Sequence, residues 1–162
     1  MPSPKASNSF KSLRTVSSDT FNSLLKIADN TFSNCHVGVN IDKGNDEYTE
    51  GVTGNSFLVD DDNLPFVNNN YFGIKLNRVK MKQLISLNKF RYSHVNNDGN
   101  TFDGIFLTHS GGVISENTFT NMRRSIDITQ CIYESSIENN EIEIVQTAHN
   151  VSDQIRVSDN EL

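Results

Sequence analysis

The stretch Lys26–Ile41, KIADNTFSNCHVGVNI, sets an aliphatic residue (Ile27), an asparagine three places on (Asn30) and an aromatic two further (Phe32). A short gap follows, and then a second apolar alternation, Gly38-Val39-Asn40-Ile41. The unit recurs. Asparagine with a large apolar follower returns as Asn8/Phe10, Asn55/Phe57, Asn88/Phe90, Asn117/Phe119, Asn140/Ile142 and Asn160/Leu162. Val52, Ile85, Ile114, Ile137 and Val157 likewise stand three residues before an asparagine. The asparagines are spaced by 22, 25, 33, 29, 23 and 20 residues. Self-similarity at such periods signals a solenoid, in which one supersecondary unit stacks on the next.

The residue types have a mechanical reading. A strand running along one face of a solenoid must bend to begin the next, and asparagine tolerates the left-handed backbone that a bend requires. Its amide can also bond its own backbone, or the equivalent asparagine one coil above or below. Asn30, Asn55, Asn88, Asn117, Asn140 and Asn160 are therefore expected to form a ladder, with the aromatics filed behind them as an internal stack. Truncating one such phenylalanine to alanine would cost about 3–5 kcal/mol.

A second strand is expected at Gly38–Ile41, Gly73–Leu76, Gly104–Leu107 and Ser125–Ile128, each opening on a small residue and then alternating apolar and variable positions. Phe10 to Val16, Phe32 to Gly38 and Phe119 to Ser125 each span six residues, with Leu13, Cys35 and Met122 sharing one apolar slot. That slot is expected to face inward.

The repeated I-x-x-N-x-F and G-[IV]-x-[IL] units resemble the right-handed parallel β-helix of the pectin-lyase-like superfamily, over nearly the whole chain from Asn8 to Leu162. The resemblance implies an all-β, single-stranded parallel β-helix of about six to seven coils with an asparagine ladder. It also implies an exported or cell-surface protein, although Met1–Ser7, read as a flexible segment, shows no secretory apolar region. It says little about activity, because the fold serves lyases, hydrolases, tailspikes and surface proteins alike. The competing solenoid is a leucine-rich repeat, whose core Leu25-x-Ile27-x-x-Asn30-x-Phe32 satisfies; Glu50, Gln83, Gly112 and Ser135 break that pattern in other copies.

Composition fits a thin solenoid better than a compact globule. The 162 residues are 35% hydrophobic and contain no tryptophan. A net charge of −6 points away from a nucleic-acid partner, which needs a basic face, and no apolar run is long enough to span a bilayer. Residues 42–51 and 60–63 are acidic, while residues 75–91 hold Lys75, Arg78, Lys80, Lys82, Lys89 and Arg91 without a carboxylate. Neighbouring coils would carry opposite signs, either as solvated surface with weak inter-coil pairs or as a basic strip for an anionic polysaccharide.

Two longer gaps, Phe57 to Gly73 and Phe90 to Gly104, could raise a wall beside that strip with Phe66, Tyr71, Phe72, Tyr92 and His94 as sugar-stacking rings. The ligand-binding candidates are therefore Tyr71, Phe72, Lys75, Arg78, Lys89, Arg91 and Tyr92. Asn100-Thr101-Phe102 repeats the turn triplet, so either Asn88 or Asn100 could be the ladder residue, and the register from Asn88 to Gly104 stays open.

Cys35 and Cys131 lie about three coil rises apart, roughly 14 Å, too far for a disulfide. Both are read as free thiols, Cys35 as a buried small hydrophobe. Asp42, Asn45, Asp46 and Glu47 cluster around Gly44 and could close on calcium, yet their spacing fits no EF-hand or nonapeptide repeat; no other cofactor is indicated. His94 and His109 read as surface or loop residues, and Arg123 and Arg124 as solvated coil edges. No carboxylate pair or family catalytic signature stands out, and the lyase motif that needs tryptophan cannot exist.

Two functions remain. One is a non-catalytic scaffold segment of an exported or cell-surface protein, structural, adhesive or carbohydrate-binding, whose partner would be a polysaccharide or cell-surface glycan. The other is a fragment of a polysaccharide lyase or hydrolase, which turnover sensitive to Asp103→Asn or Asp127→Asn would reveal. Val157–Leu162 reads as a further turn unit, so residues 8–162 are expected to be a segment of a longer solenoid, or to end against a partner.

Overall fold

The computed structural model describes residues 9–11, 16–18, 26–42, 47–48, 51–60, 70–81, 85–93, 100–131, 133–145 and 153–158. Every regular element among them is a β-strand. The chain winds as a right-handed parallel β-helix whose three main sheets each take one strand per coil.

The short sheet has five strands: Ile27–Ala28, Val52–Thr53, Ile85–Ser86, Gly112–Ser115 and Ser135–Glu138. The ring sheet has six: Ser9–Lys11, Thr31–Ser33, Ser56–Val59, Lys89–Tyr92, Thr118–Thr120 and Glu141–Glu143. The long sheet also has six: Val16–Ser18, Val37–Asp42, Asn70–Asn77, Thr101–Thr108, Arg124–Thr129 and Ile155–Ser158. Outside these, Glu47–Tyr48 pairs with Lys80–Met81, which sets Lys80 in register with Glu47. The leucine-rich repeat reading falls, because a second full sheet stands where that fold carries its convex helices.

Between the short and ring sheets lies the asparagine corner. Each rung's backbone N–H and Nδ2 donate to Oδ1 of the next asparagine: Asn30 to Asn55 at 2.9 and 3.1 Å, Asn55 to Asn88 at 2.9 and 3.1 Å. Asn88 does the same to Asn117 at 3.1 and 3.0 Å, and Asn117 to Asn140 at 3.0 and 2.9 Å. The other Nδ2 hydrogen reaches back one rung, from Asn55 to the Ile27 carbonyl at 2.8 Å, Asn88 to Val52 at 2.8 Å, Asn117 to Ile85 at 2.7 Å and Asn140 to Ile114 at 2.9 Å. A buried polar residue is thereby satisfied by the repeat itself. Asn160 lies outside the described residues.

The ladder corrects the expected reason for asparagine. The left-handed residue is the one before it: Asp29 (φ 58°), Gly54 (65°), Leu87 (56°), Glu116 (56°) and Asn139 (51°). The ladder asparagines are chosen for their amides. At the opposite corner Asn34 (53°) and Asn121 (58°) do take the left-handed conformation. Their Oδ1 atoms accept from the backbone N–H of Asp60 at 2.7 Å and of Val145 at 2.8 Å, one rung up.

Behind the ladder, Phe32, Phe57, Phe90 and Phe119 stack with every centroid separation 4.8 Å and interplanar angles of 5–7°. That is the rung spacing of a sheet, so backbone pairing sets the ring stack. The stack also explains the small residue that opens each long strand. A Cβ on Gly38, Gly73 or Gly104 would lie 2.5–2.6 Å from the ring of Phe57, Phe90 or Phe119 in the next coil. Ser125 occupies the same column one rung later, where the next anchor is Ile142 rather than an aromatic. Inward columns Val39-Ile74-Ile105-Ile126 and Ile41-Leu76-Leu107-Ile128 complete a core in which all eight residues are buried.

Several expectations shift. Asn88, not Asn100, carries the ladder, and Asn100 leads into the long sheet. Val16 pairs with Val39, one residue off the expected slot. Val157 pairs with Ile128 in the long sheet, so it is not the aliphatic of a further turn unit; Ile155-Arg156-Val157 repeats the Ile126-Asp127-Ile128 alternation. Val16–Ser18 is strand, and residues 19–25 lie outside the described set. Cys35 and Cys131 are free and buried, with Cys35 and Met122 in the inward slot as expected. Cys131 Sγ donates to the Ser110 carbonyl, and burial pushes its thiol pKa up.

Candidate ligand-binding face

Alternation on the long sheet sends Ile74, Leu76, Ile105 and Leu107 inward and their neighbours out. Register then aligns Asn40, Lys75, Phe106, Asp127 and Arg156 in one outward column. Val37, Phe72, Asp103 and Arg124 form a second column, brought to the same face by a break in the alternation at Gly38, Gly73, Gly104 and Ser125, where two successive residues are buried. The lower half of this face is aromatic. Phe72 and Phe106 are half-buried, with centroids 5.7 Å apart at 62°. Lys75 Nζ sits 5.3 Å from the Phe72 centroid and 5.8 Å from that of Phe106. Such contacts are worth about 0.5–1 kcal/mol each at an exposed site, enough to hold the ammonium against the rings. Around them the face is lined by amides and hydroxyls; Asn77 donates to Asp42 at 2.7 Å, and Thr101 to Asn70.

The upper half is ionic. Asp103 and Asp127 are each only 1% exposed. Arg123 grips Asp103 with a two-pronged fork, Nε to Oδ1 at 2.8 Å and a terminal nitrogen to Oδ2; that hydrogen bond raises the guanidinium pKa despite its partial burial. Asp127 accepts from Arg156 at 2.9 and 2.7 Å, from Arg124 at 2.7 Å and from Thr129 at 3.2 Å. Burial alone would push its carboxyl pKa up, yet the Arg156 hydrogen bonds and the two cationic neighbours outweigh it and hold the pKa below the ordinary carboxylate value. A carboxylate so held is a poor proton donor, and one whose lone pairs are all engaged is a poor base. These groups clamp neighbouring rungs.

The sequence candidates are distributed differently from the expected strip. Phe72 and Lys75 lie on this face. Tyr71 and Tyr92 are 0% and 2% exposed, inside the cylinder, so neither can stack on a sugar. Tyr92 donates its hydroxyl to the Asn100 carbonyl at 3.3 Å. Arg78 is exposed at the corner after the long strand, with φ 55°. Lys89 and Arg91 are exposed on the ring sheet, a separate face. There Arg91, Thr120 and Glu143 form one column along a groove of about 380 Å³ that Asn121 also lines. Phe66 and His94 fall outside the described residues, as do Asn45 and Asp46 of the calcium cluster. Among the described residues no group of three His, Cys, Asp or Glu could hold a metal.

Phe106, Arg123, Arg124 and Arg156 are the site residues that sequence reasoning missed. Phe106 announces itself as an aromatic in the variable slot of Gly104-Ile105-Phe106-Leu107. Arg123 and Arg124, read as solvated edges, are spent on Asp103 and Asp127. Asp103 and Asp127 are each the one carboxylate of their strand, Thr101–Thr108 and Arg124–Thr129. Compared with family models, curated proteins and solved structures, the chain matches none.

Proposed function

We propose that the protein is a non-catalytic β-helix scaffold segment of an exported or cell-surface protein, of the pectin-lyase-like type, whose long-sheet face binds an anionic polysaccharide. The observation that carries this is the Phe72–Lys75–Phe106 cluster on the outer face. Half-buried rings offer flat apolar surface to the C–H faces of a sugar, and a cation held beside them suits a uronate or sulfate. A β-helix face is also long and straight, with equivalent positions repeating at the rung spacing, which suits a linear polymer. The locked state of Asp103 and Asp127 supports retention of the ligand over its cleavage.

Calorimetric titration with oligogalacturonate and with a neutral oligosaccharide tests the reading. Binding to the anionic chain is expected, weakened about tenfold or more by Phe106→Ala. Lys75→Ala should weaken it too and flatten its salt dependence. Release of reducing or unsaturated ends that stops in Asp127→Asn would overturn the reading in favour of a lyase or hydrolase, and so would failure to bind any glycan.

A further inference from the structure

The ring sheet turns a second face outward, and its charge is ordered by rung. Alternation buries Phe90 and Phe119 and sends their strand neighbours out. Lys89 and Arg91 are exposed on one strand, Thr118 and Thr120 half-buried on the next, and Glu141 and Glu143 exposed on the one after. Register sets Lys89, Thr118 and Glu141 in one column and Arg91, Thr120 and Glu143 in the other. A basic rung, a neutral rung and an acidic rung thus follow one another.

The threonines hold the opposite charges two rungs apart, about 9.6 Å along the axis. Among the described residues no ion pair engages Lys89, Arg91, Glu141 or Glu143. The long sheet is different, because there Arg123, Arg124 and Arg156 neutralise Asp103 and Asp127 within the chain. The ring-sheet charges are left to be matched from outside, and their order makes the face complementary to itself.

We infer that this face docks the same face of a second copy of the chain, with the two coil axes antiparallel. A two-fold axis lying in the interface along the Thr118–Thr120 strand keeps the strand direction and reverses the coil axis. Each column then lies over itself, and the rung below the threonines lies over the rung above them. Lys89 of each copy meets Glu141 of the other, Arg91 meets Glu143, and the two threonines meet their own counterparts. A two-fold along the coil axis would instead set the basic rung against itself, so charge selects the first arrangement. An interface built from one patch on both molecules closes on itself, and the product is a dimer rather than a chain. A face two columns wide is narrow, so the contact belongs to the small class of interfaces, below about 1,200 Å², and relies on its charges. This inference concerns the ring sheet and is independent of the glycan-binding face on the long sheet.

Sedimentation equilibrium of the complete chain over a concentration series tests it, with circular dichroism as the check on folding. A monomer–dimer equilibrium without larger species is expected, weakened by about threefold or more from low to high salt. Arg91→Glu alone and Glu143→Arg alone should each weaken it by about tenfold or more, because each sets two like-charge contacts in the dimer. Mixing the two variants should restore a dimer, since both contacts are then between opposite charges. Thr120→Cys should be joined to its counterpart by a short bis-maleimide and Thr53→Cys, on the short sheet, should not; the native Cys35 and Cys131 are buried. A monomer at every concentration would overturn the inference and leave this face to a partner of another kind. Species beyond the dimer, or reversals that change nothing, would overturn it equally.

Discussion

The side-chain amide of Asn88 donates to Oδ1 of Asn117 at 3.0 Å, while its own oxygen takes both N–H groups of Asn55 at 2.9 and 3.1 Å. One amide thus serves three rungs, because its second hydrogen holds the Val52 carbonyl. An aspartate keeps the acceptor and loses both donors.

Asn88→Asp should therefore set oxygen against oxygen at Asn117 and Val52. A loss of about 3 kcal/mol or more is expected at pH 7, from a buried carboxylate oxygen set against the Val52 carbonyl and against Asn117 Oδ1, which keeps only the Asn88 backbone N–H at 3.1 Å. Protonation would return one donor, so part of the loss should be recovered in acid. Urea denaturation at pH 7 and pH 4 reads both effects; a neutral substitution would show that the ladder is not what holds the corner.

Gly73→Ala should cost about 1–3 kcal/mol, the usual penalty of overpacking, because its Cβ would sit 2.5 Å from the ring of Phe90. In a Phe90→Leu background the added cost should shrink. A double-mutant cycle by thermal or urea unfolding measures this coupling; additive losses would mean that the ring is not the obstacle.

Leu87 is a branched residue at φ 56° and 57% exposed, in a column where Asp29, Gly54 and Asn139 also stand. Leu87→Asn should stabilise by about 0.5–1 kcal/mol, since a left-handed residue with a bulky side chain carries a penalty of roughly that size. A rise in melting temperature without change in the circular dichroism spectrum is the expected result.

The Asp127 clamp gives stability an acid limb. Its carboxyl pKa is depressed in the folded state, so its contribution is complete above the ordinary value of 3.8 and drains away as pH falls through the lower, folded value. Asp127→Asn should lose about 2–3 kcal/mol at pH 7, and the gap to the parent should narrow below pH 4. Parallel denaturation curves at neutral pH and below that point provide the check.

Much of the fold was legible because its repeat is carried by residues with few substitutes. Asparagine alone offers the donor and acceptor the ladder needs, and only glycine or a small residue fits beneath a ring. What stayed hidden depends on side-chain direction. Tyr71 and Tyr92 look like sugar platforms in one dimension, yet Tyr92 alternates inward with Phe90, and Tyr71 is turned inward because the alternation breaks at Gly73-Ile74, two successive buried residues. Asp29, Leu87 and Glu116 share a left-handed conformation that no common chemistry betrays. The bracket of Asn34 and Asn121 stands in the matching strings NTFSN and NTFTN but has no counterpart in NSFLV at 55–59 or NKFRY at 88–92, so it does not repeat with the coil. Arg123 and Asp103 lie 20 residues apart, and only the rung offset brings them together.

The ladder asparagines from Asn30 to Asn117 are 25, 33 and 29 residues apart, yet the phenylalanines behind them keep one separation of 4.8 Å throughout. Length is absorbed outside the spine, between Asp60 and Asn70 and between Ser93 and Asn100, where the chain leaves the ring sheet and rejoins the long one. Those two windows are natural grafting sites: a foreign epitope or recognition peptide spliced there would be displayed from the flank of a rigid rod whose backbone has no need to register its arrival.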